Sequence, residues 1–185
     1  MSDIRLTTPL GENEVRKLEA GDKILLSGKI YTARDAAHKR LVDLIDAGEE
    51  LPFPVEGSVI YYVGPAPAKP GKPIGSAGPT TSYRMDPYSP MLIEKGQRGM
   101  IGKGPRGPEV QESMNENGAV YFAATGGAAA LIAEAITAAR VIAYEDLGAE
   151  AIRELEVEDF PLVVAQDSRG ESLYEKGKAK YARNS

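Results

Sequence analysis

The 185 residues contain no cysteine and a single histidine, His38. Without thiols the chain cannot hold an iron–sulfur cluster by thiolates or form a disulfide. One imidazole leaves no ligand set for a zinc site built on histidines. Any metal chemistry in which the chain takes part therefore rests mainly on another chain. No apolar run is long enough to span a bilayer. The opening MSDIRLTTPL lacks the charged start and apolar core of a secretion signal, so a cytoplasmic protein with no membrane contact is expected. Lys and Arg number 22 against 27 Asp and Glu, a net charge of -5 with a pI near 5.1. That balance argues against a nucleic-acid-binding face but leaves room for a local basic site. Neither the phosphate-loop pattern nor the Rossmann glycine fingerprint occurs; GPRGPE, residues 105–109 with the preceding Gly104, lacks the Gly-Lys-Ser/Thr ending.

What is present is an ordinary globular composition, 42% hydrophobic and 26% charged, with enough length to bury one core. One domain over residues 1–185 is expected, with a charged tail from about residue 171. Residues 32–46 read as a helix, because Ala37, Leu41, Leu44 and Ile45 recur at helical spacing. Thr32 and Asp35 have capping-box spacing, which sets Arg34 in the first turn with His38 one turn further on. A cation there opposes the helix macrodipole and calls for a ligand or an acidic partner. Residues 57–63 (GSVIYYV) read as a strand. They run into a proline- and glycine-rich loop at 64–75, too irregular for regular structure. Further strands are expected at 4–10, 23–29, 98–103, 119–124, 140–144, 152–157 and 162–166. Helices are expected at 12–19, 108–117 and 128–139. Between residues 98 and 145 strands alternate with helices, which implies parallel strands joined by helical crossovers. The class is α/β with a mixed or layered sheet.

The stretch GSAGPTTSYRMDPYSP, residues 75–90, has little apolar content and packs breakers, hydroxyls, Arg84 and Asp86 together. If a helix starts at Pro79, free N–H groups and the hydroxyls of Thr80, Thr81 and Ser82 make an anion site beside Arg84. A polar surface loop that caps a helix is an equally good reading of composition alone. Four segments concentrate polar groups at loops or helix starts: Arg34 with His38, residues 75–86, Lys103 to Arg106, and TGG at 125–127. Such segments commonly converge at one end of an α/β sheet, and cations with free N–H groups suit a carboxylate or phosphate. Each also has a plain reading: a surface arginine, a core histidine, a solvated lysine, a tight turn.

GSAGPTTSYRMDPYSP, preceded by VIYYVGPAPAKPGKPIG and followed by GMIGKGPRG and YFAATGGAAAL, resembles the β part of the iron–sulfur hydro-lyases, the class I fumarases and related tartrate dehydratases. LTTPL, TARDAAHKRL and EVEDFPLVVAQDSRG extend the resemblance over roughly residues 4–175. It implies a swivelling β/β/α domain. It also implies a 4Fe–4S cluster held by cysteines of an α part, either a separate subunit or the front of a fused chain. The cluster's open iron would act as Lewis acid on the leaving hydroxyl. The cysteine-free sequence fits the two-subunit arrangement, and two α with two β chains as a heterotetramer. By the same resemblance Thr80 acts as general base, with Thr81 the neighbouring alternative. Arg34 and Arg84 bind the carboxylates of a small dicarboxylate. Lys103 does likewise and stabilises developing charge. His38 orients Arg34, and Gly126 joins the substrate-binding residues. Fumarate hydration to malate is the expected reaction, and L-tartrate dehydration its rival. A non-catalytic anion- or nucleotide-binding regulatory module is the alternative from another class.

Overall fold

The computed structural model describes residues 2–124 and 129–182. In chain order the elements are β1 (Ile4–Thr7), α1 (Glu12–Val15), β2 (Lys23–Thr32), α2 (Asp35–Asp46), β3 (Val59–Tyr61), α3 (Ser89–Glu94) and β4 (Gly99–Gly102). Then follow α4 (Pro108–Asn117), β5 (Val120–Ala124), α5 (Ala129–Ala135), β6 (Ile136–Ala143), β7 (Ile152–Gln166) and α6 (Leu173–Ala182). A 3-10 turn occupies Ser82–Met85, and two short ones joined across a kink at Gly148 occupy Glu145–Glu150.

Among the described residues the seven strands form one mixed α/β sheet, ordered β1-β2-β3-β4-β5-β7-β6, with β2 also paired to β7. β2, β3, β4 and β5 lie side by side and parallel. β7 runs antiparallel to both β5 and β2, so the sheet closes on itself. Alternation along β3 divides the core in two. Val59, Tyr61 and Val63 face one cluster with Leu26, Ile101, Phe122 and Phe160. Ile60 and Tyr62 face another with Met100 and Tyr121, and there Leu41, Leu92 and Met114 bring in α2, α3 and α4. A strand buried on both faces needs apolar residues at every position, which is why VIYYV carries no polar alternation.

The helix at 108–117 ends as expected: Gly118 adopts φ +71, and its N–H caps the carbonyl of Met114 at 2.9 Å. Four expectations are corrected. The strand expected at 23–29 continues to Thr32, so α2 starts at Asp35 with Arg34 as its N-cap. Thr32 caps nothing; its hydroxyl donates to the Ala151 carbonyl (3.3 Å) and accepts from the Arg153 N–H (3.0 Å). The helix expected over 128–139 stops at Ala135, because β-branched Ile136 and Thr137 enter β6, where Ile136 pairs with Val157 of β7 and Thr137 sits at a bulge. That strand lies against β7, antiparallel, rather than joining the parallel set. Finally, 152–157 and 162–166 form one strand of 15 residues, despite Glu158, Asp159 and Pro161 between them. Pairing with β2 on both sides of that polar stretch carries the strand through.

Candidate active site

Three parallel strands deliver their C-terminal ends to one edge. β2 leads into Arg34, β3 into Gly64 and β4 into Lys103. Over the gap between β3 and β4 lies the segment Thr80-Thr81-Ser82. The Thr80 N–H donates to the Tyr62 carbonyl at 2.7 Å, and the Ser82 N–H to the Lys103 carbonyl at 2.9 Å. Thr81 thus pairs with Lys103 as a single parallel bridge. The approach requires glycine at 102, where a Cβ would overlap the Ser82 hydroxyl. The expected helix at Pro79 is absent: the helical turn starts at Ser82, and the N–H groups of Thr80 and Ser82 bond backbone carbonyls instead of waiting for an anion. What the segment offers a ligand is hydroxyls. Those of Thr80 and Thr81 have no hydrogen-bond partner among the described residues.

The long loop before this segment is anchored on its return. The Tyr61 hydroxyl, on a fully buried ring, donates to the Ala77 carbonyl. Loop conformation alone would leave Thr80 loosely placed; this bond and the two backbone bonds remove that freedom.

Arg34 and Arg84 each meet one acidic side chain. The Arg84 Nε donates to Asp35 Oδ1 at 3.1 Å. Asp35 follows Arg34 directly and opens α2, where a carboxylate suits the helix dipole. The Arg34 side chain lies across Gly64, where a Cβ would sit 2.8 Å from Nη1. Its Nε faces Glu150 Oε1 at 3.7 Å. The partner that Arg34's position called for is therefore Glu150, a residue more than a hundred positions away that no local pattern singles out.

Beneath this rim is a fully bonded floor. Arg106, with a side chain of 0% exposure, donates to Asp86 Oδ1 at 2.7 Å and to the Ser89 hydroxyl at 2.8 Å. Its guanidinium carbon lies 5.2 Å from the Tyr62 ring centre and 5.1 Å from that of Tyr121. Asp86 Oδ2 accepts the Gly107 N–H at 2.7 Å, at the start of α4. The Tyr121 hydroxyl meets Ser82 Oγ at 2.8 Å and donates to the Gly104 carbonyl at 2.7 Å. Burial pushes the Tyr121 phenol far up, which keeps it a donor. The floor clamps both ends of the 103–107 loop. Asp86 and Arg106 were visible in the sequence as charges in glycine-rich loops; their mutual pairing was not.

Lys103 is exposed, and its ammonium has no partner among the described residues. His38 is fully buried against Tyr62 and Tyr88, with ring centres 5.4 and 6.1 Å away. Its Nδ1 is 2.9 Å from the Arg34 carbonyl oxygen, so as the Nδ1–H tautomer it braces the backbone at the helix start. Burial pushes it down to about 4, which leaves a neutral ring at neutral pH. Gly126 lies outside the described residues; β5, which precedes it, ends beside β4, with Ala123 opposite Gly102.

Of five cavities of about 400 to 620 Å³, none is lined by Arg34, Thr80, Arg84 or Lys103, although one reaches the adjacent Pro65 and Ala149. No group of three or more His, Cys, Asp or Glu among the described residues is arranged to hold a metal ion. No described helix is long and apolar enough to cross a membrane. Chemically, the rim offers three cations and two free hydroxyls on a rigid floor, an arrangement suited to a small polyanion.

The family model of the fumarase C-terminus matches residues 1–177. The chain is 38% identical over 176 residues to the anaerobic class I fumarate hydratase of Escherichia coli K12, covering 93% of this chain and 32% of the relative. It is 36% identical over 165 residues to fumarate hydratase 2 of Leishmania major, covering 88% of this chain and 29% of that protein. Over 172 residues it is 41% identical to a Methanocaldococcus jannaschii protein named for the beta subunit of L(+)-tartrate dehydratase, covering 90% of this chain and 88% of the relative. The chain thus spans about a third of the length of the fumarate hydratases it matches, and most of the archaeal protein. On the extent of these matches, the chain belongs to the fumarase C-terminus family.

Proposed function

We propose that this chain is the β part of an iron–sulfur hydro-lyase and that the assembled enzyme hydrates fumarate reversibly to malate. What supports the reading is the placement of Arg34, Lys103 and the Thr80–Ser82 segment after the C-terminal ends of adjoining parallel strands, with Arg84 bonded to Asp35 beside Arg34. Thr80 is the general base, with Thr81 the alternative. Arg34 and Arg84 take the substrate's carboxylates, and Lys103 stabilises the charge that builds up as the proton leaves. Gly126 completes the edge beyond β5. His38 acts through the Arg34 backbone.

The residues present do not fit the 4Fe–4S cluster of such enzymes: the chain has no cysteine. The cluster therefore belongs to a cysteine-bearing α part. What this chain contributes is derived from its own groups. Removing a proton next to a carboxylate pushes negative charge onto that carboxylate, and cations already in place stabilise the transition state more than the ground state. A threonine hydroxyl becomes a useful base only in a dry, electropositive pocket, which closure against a partner over Lys103 and Arg84 supplies. The reading extends to a swivelling β/β/α domain, a cytoplasmic enzyme and a heterotetramer of two α and two β chains.

L-tartrate dehydration is the second reading, favoured by the 41% identity to the protein named for that enzyme's beta subunit. The two substrates differ by a hydroxyl, a difference a hydrogen-bonding site can discriminate strongly. The deciding experiment mixes this chain anaerobically with its cluster-loaded partner and assays fumarate, malate and L-tartrate. Activity is expected only on mixing. No gain with any of the three, together with tight anion binding by the chain alone, would favour the regulatory module.

A further inference from the structure

Both rim arginines meet a carboxylate through Nε, Arg84 by a hydrogen bond and Arg34 by a longer ion pair in which its buried Nε has no hydrogen bond. Arg84 bonds protein only through Nε, to Asp35 Oδ1, and Arg34 faces protein charge only through Nε, towards Glu150 Oε1. Among the described residues the terminal guanidinium nitrogens of both have no hydrogen-bond partner. A guanidinium whose contact with protein charge is confined to Nε keeps its two terminal nitrogens for a bidentate carboxylate. The two carboxylates are not loose surface groups. Asp35 Oδ2 and Glu150 Oε1 are both shielded from solvent without a hydrogen bond, an unfavourable state that persists only where surrounding structure imposes it.

That structure is visible for Glu150. Its turn, Glu145–Glu150, is tied to α2 by Arg40, which bonds both oxygens of Asp146 at 2.9 and 2.5 Å and lies 5.0 Å from the Tyr144 ring centre. From the sheet side, Arg153 donates to the carbonyls of Gly148, Ala149 and Ala151 at 3.1 to 3.3 Å. Asp35 is held by the first turn of α2, which His38 braces at Arg34.

Resting on the proposed hydro-lyase reading, we propose that Asp35 and Glu150 are positioning residues that fix the spacing of the two carboxylate-binding forks, and so select a dianion of matching length. Neither touches the substrate. The role has a sign that simple electrostatics does not share. Removing a negative charge beside two arginines should, by charge alone, tighten the binding of a dianion. If the carboxylates act by orienting the forks, removing them weakens it.

The experiment is steady-state kinetics on the complex of this chain with its cluster-bearing partner, comparing wild type, Asp35→Ala, Glu150→Ala and Asp35→Asn with fumarate and malate. The expected result is a KM raised about tenfold in each alanine variant, with kcat lowered less than about threefold. Asp35→Asn, which keeps a neutral acceptor for Arg84, is expected to raise KM about threefold. It also decides the case if Asp35→Ala fails to assemble. An unchanged or lowered KM in variants that melt with the wild type overturns the positioning role while the hydro-lyase reading stands. A wild-type complex that turns over none of fumarate, malate and L-tartrate overturns the reading itself, and the role with it.

Discussion

Arg106 and Lys103 stand three residues apart in one loop and illustrate opposite uses of positive charge. Arg106 is buried and bonded to Asp86 and Ser89, with two tyrosine rings about 5 Å away. Lys103 is exposed, with no partner among the described residues. The floor uses its charge to hold loops in place, since a buried cation without bonded partners is too costly to keep. At the rim Lys103 is unpaired among the described residues, and Arg34 and Arg84 each meet one carboxylate through Nε alone. The buried charge serves the fold, whereas the donors left over at the rim suit the proposed ligand.

Substitutions can break or sharpen that contrast. The largest effect is expected at the rim, on rate: Thr80→Ala should lower kcat of the assembled enzyme about 10²- to 10⁴-fold with little change in KM. Near-normal turnover, with the loss appearing in Thr81→Ala instead, would move the base by one residue. Next comes Arg106→Met, which leaves Asp86 without its cation and should cost about 3–5 kcal/mol in urea unfolding. Lys103→Met should stay within about 0.5 kcal/mol of wild type in the same measurement. Equal losses for the two would erase the distinction between floor and rim.

The third effect is of pH on stability. His38 is neutral in the folded chain down to about 4, but protonates near 6.5 when unfolded. The unfolded state therefore binds more protons between those values, and stability conferred by the neutral ring is full above pH 6.5 and lost as pH falls towards 4. The gap corresponds to about 3 kcal/mol. Unfolding free energy followed from pH 7 to 5 should show this slope in wild type and a flatter one in His38→Gln. The smallest effects are expected for Arg34→Met on substrate binding, with KM raised about tenfold, and for Lys103→Met on rate, with kcat lowered about tenfold. Unchanged kinetics for either would remove that residue from the site.

Much of this was legible in local chemistry. The β-branched and aromatic run VIYYV marked a strand, the Asn117-Gly118 pair marked a helix end, and the hydroxyl-rich segment at 80–82 stood out by its lack of apolar content. Errors arose wherever a distant strand decided the outcome. β7 runs through Pro161 because β2 pairs with it on either side. Thr32 left its expected cap for the Ala151 carbonyl. Pro79 begins no helix because the Tyr62 carbonyl takes the next N–H.

From residue order alone came the family, the absence of any thiol ligand, and the identity of the cations and hydroxyls that the chemistry requires. These are properties of composition and of short motifs, and folding does not alter them. Which charges are free and which are bonded was decided only in three dimensions. Pairing depends on a few ångströms between residues such as Arg34 and Glu150, which are neighbours only because the turn carrying Glu150 is pinned to the helix that Arg34 begins.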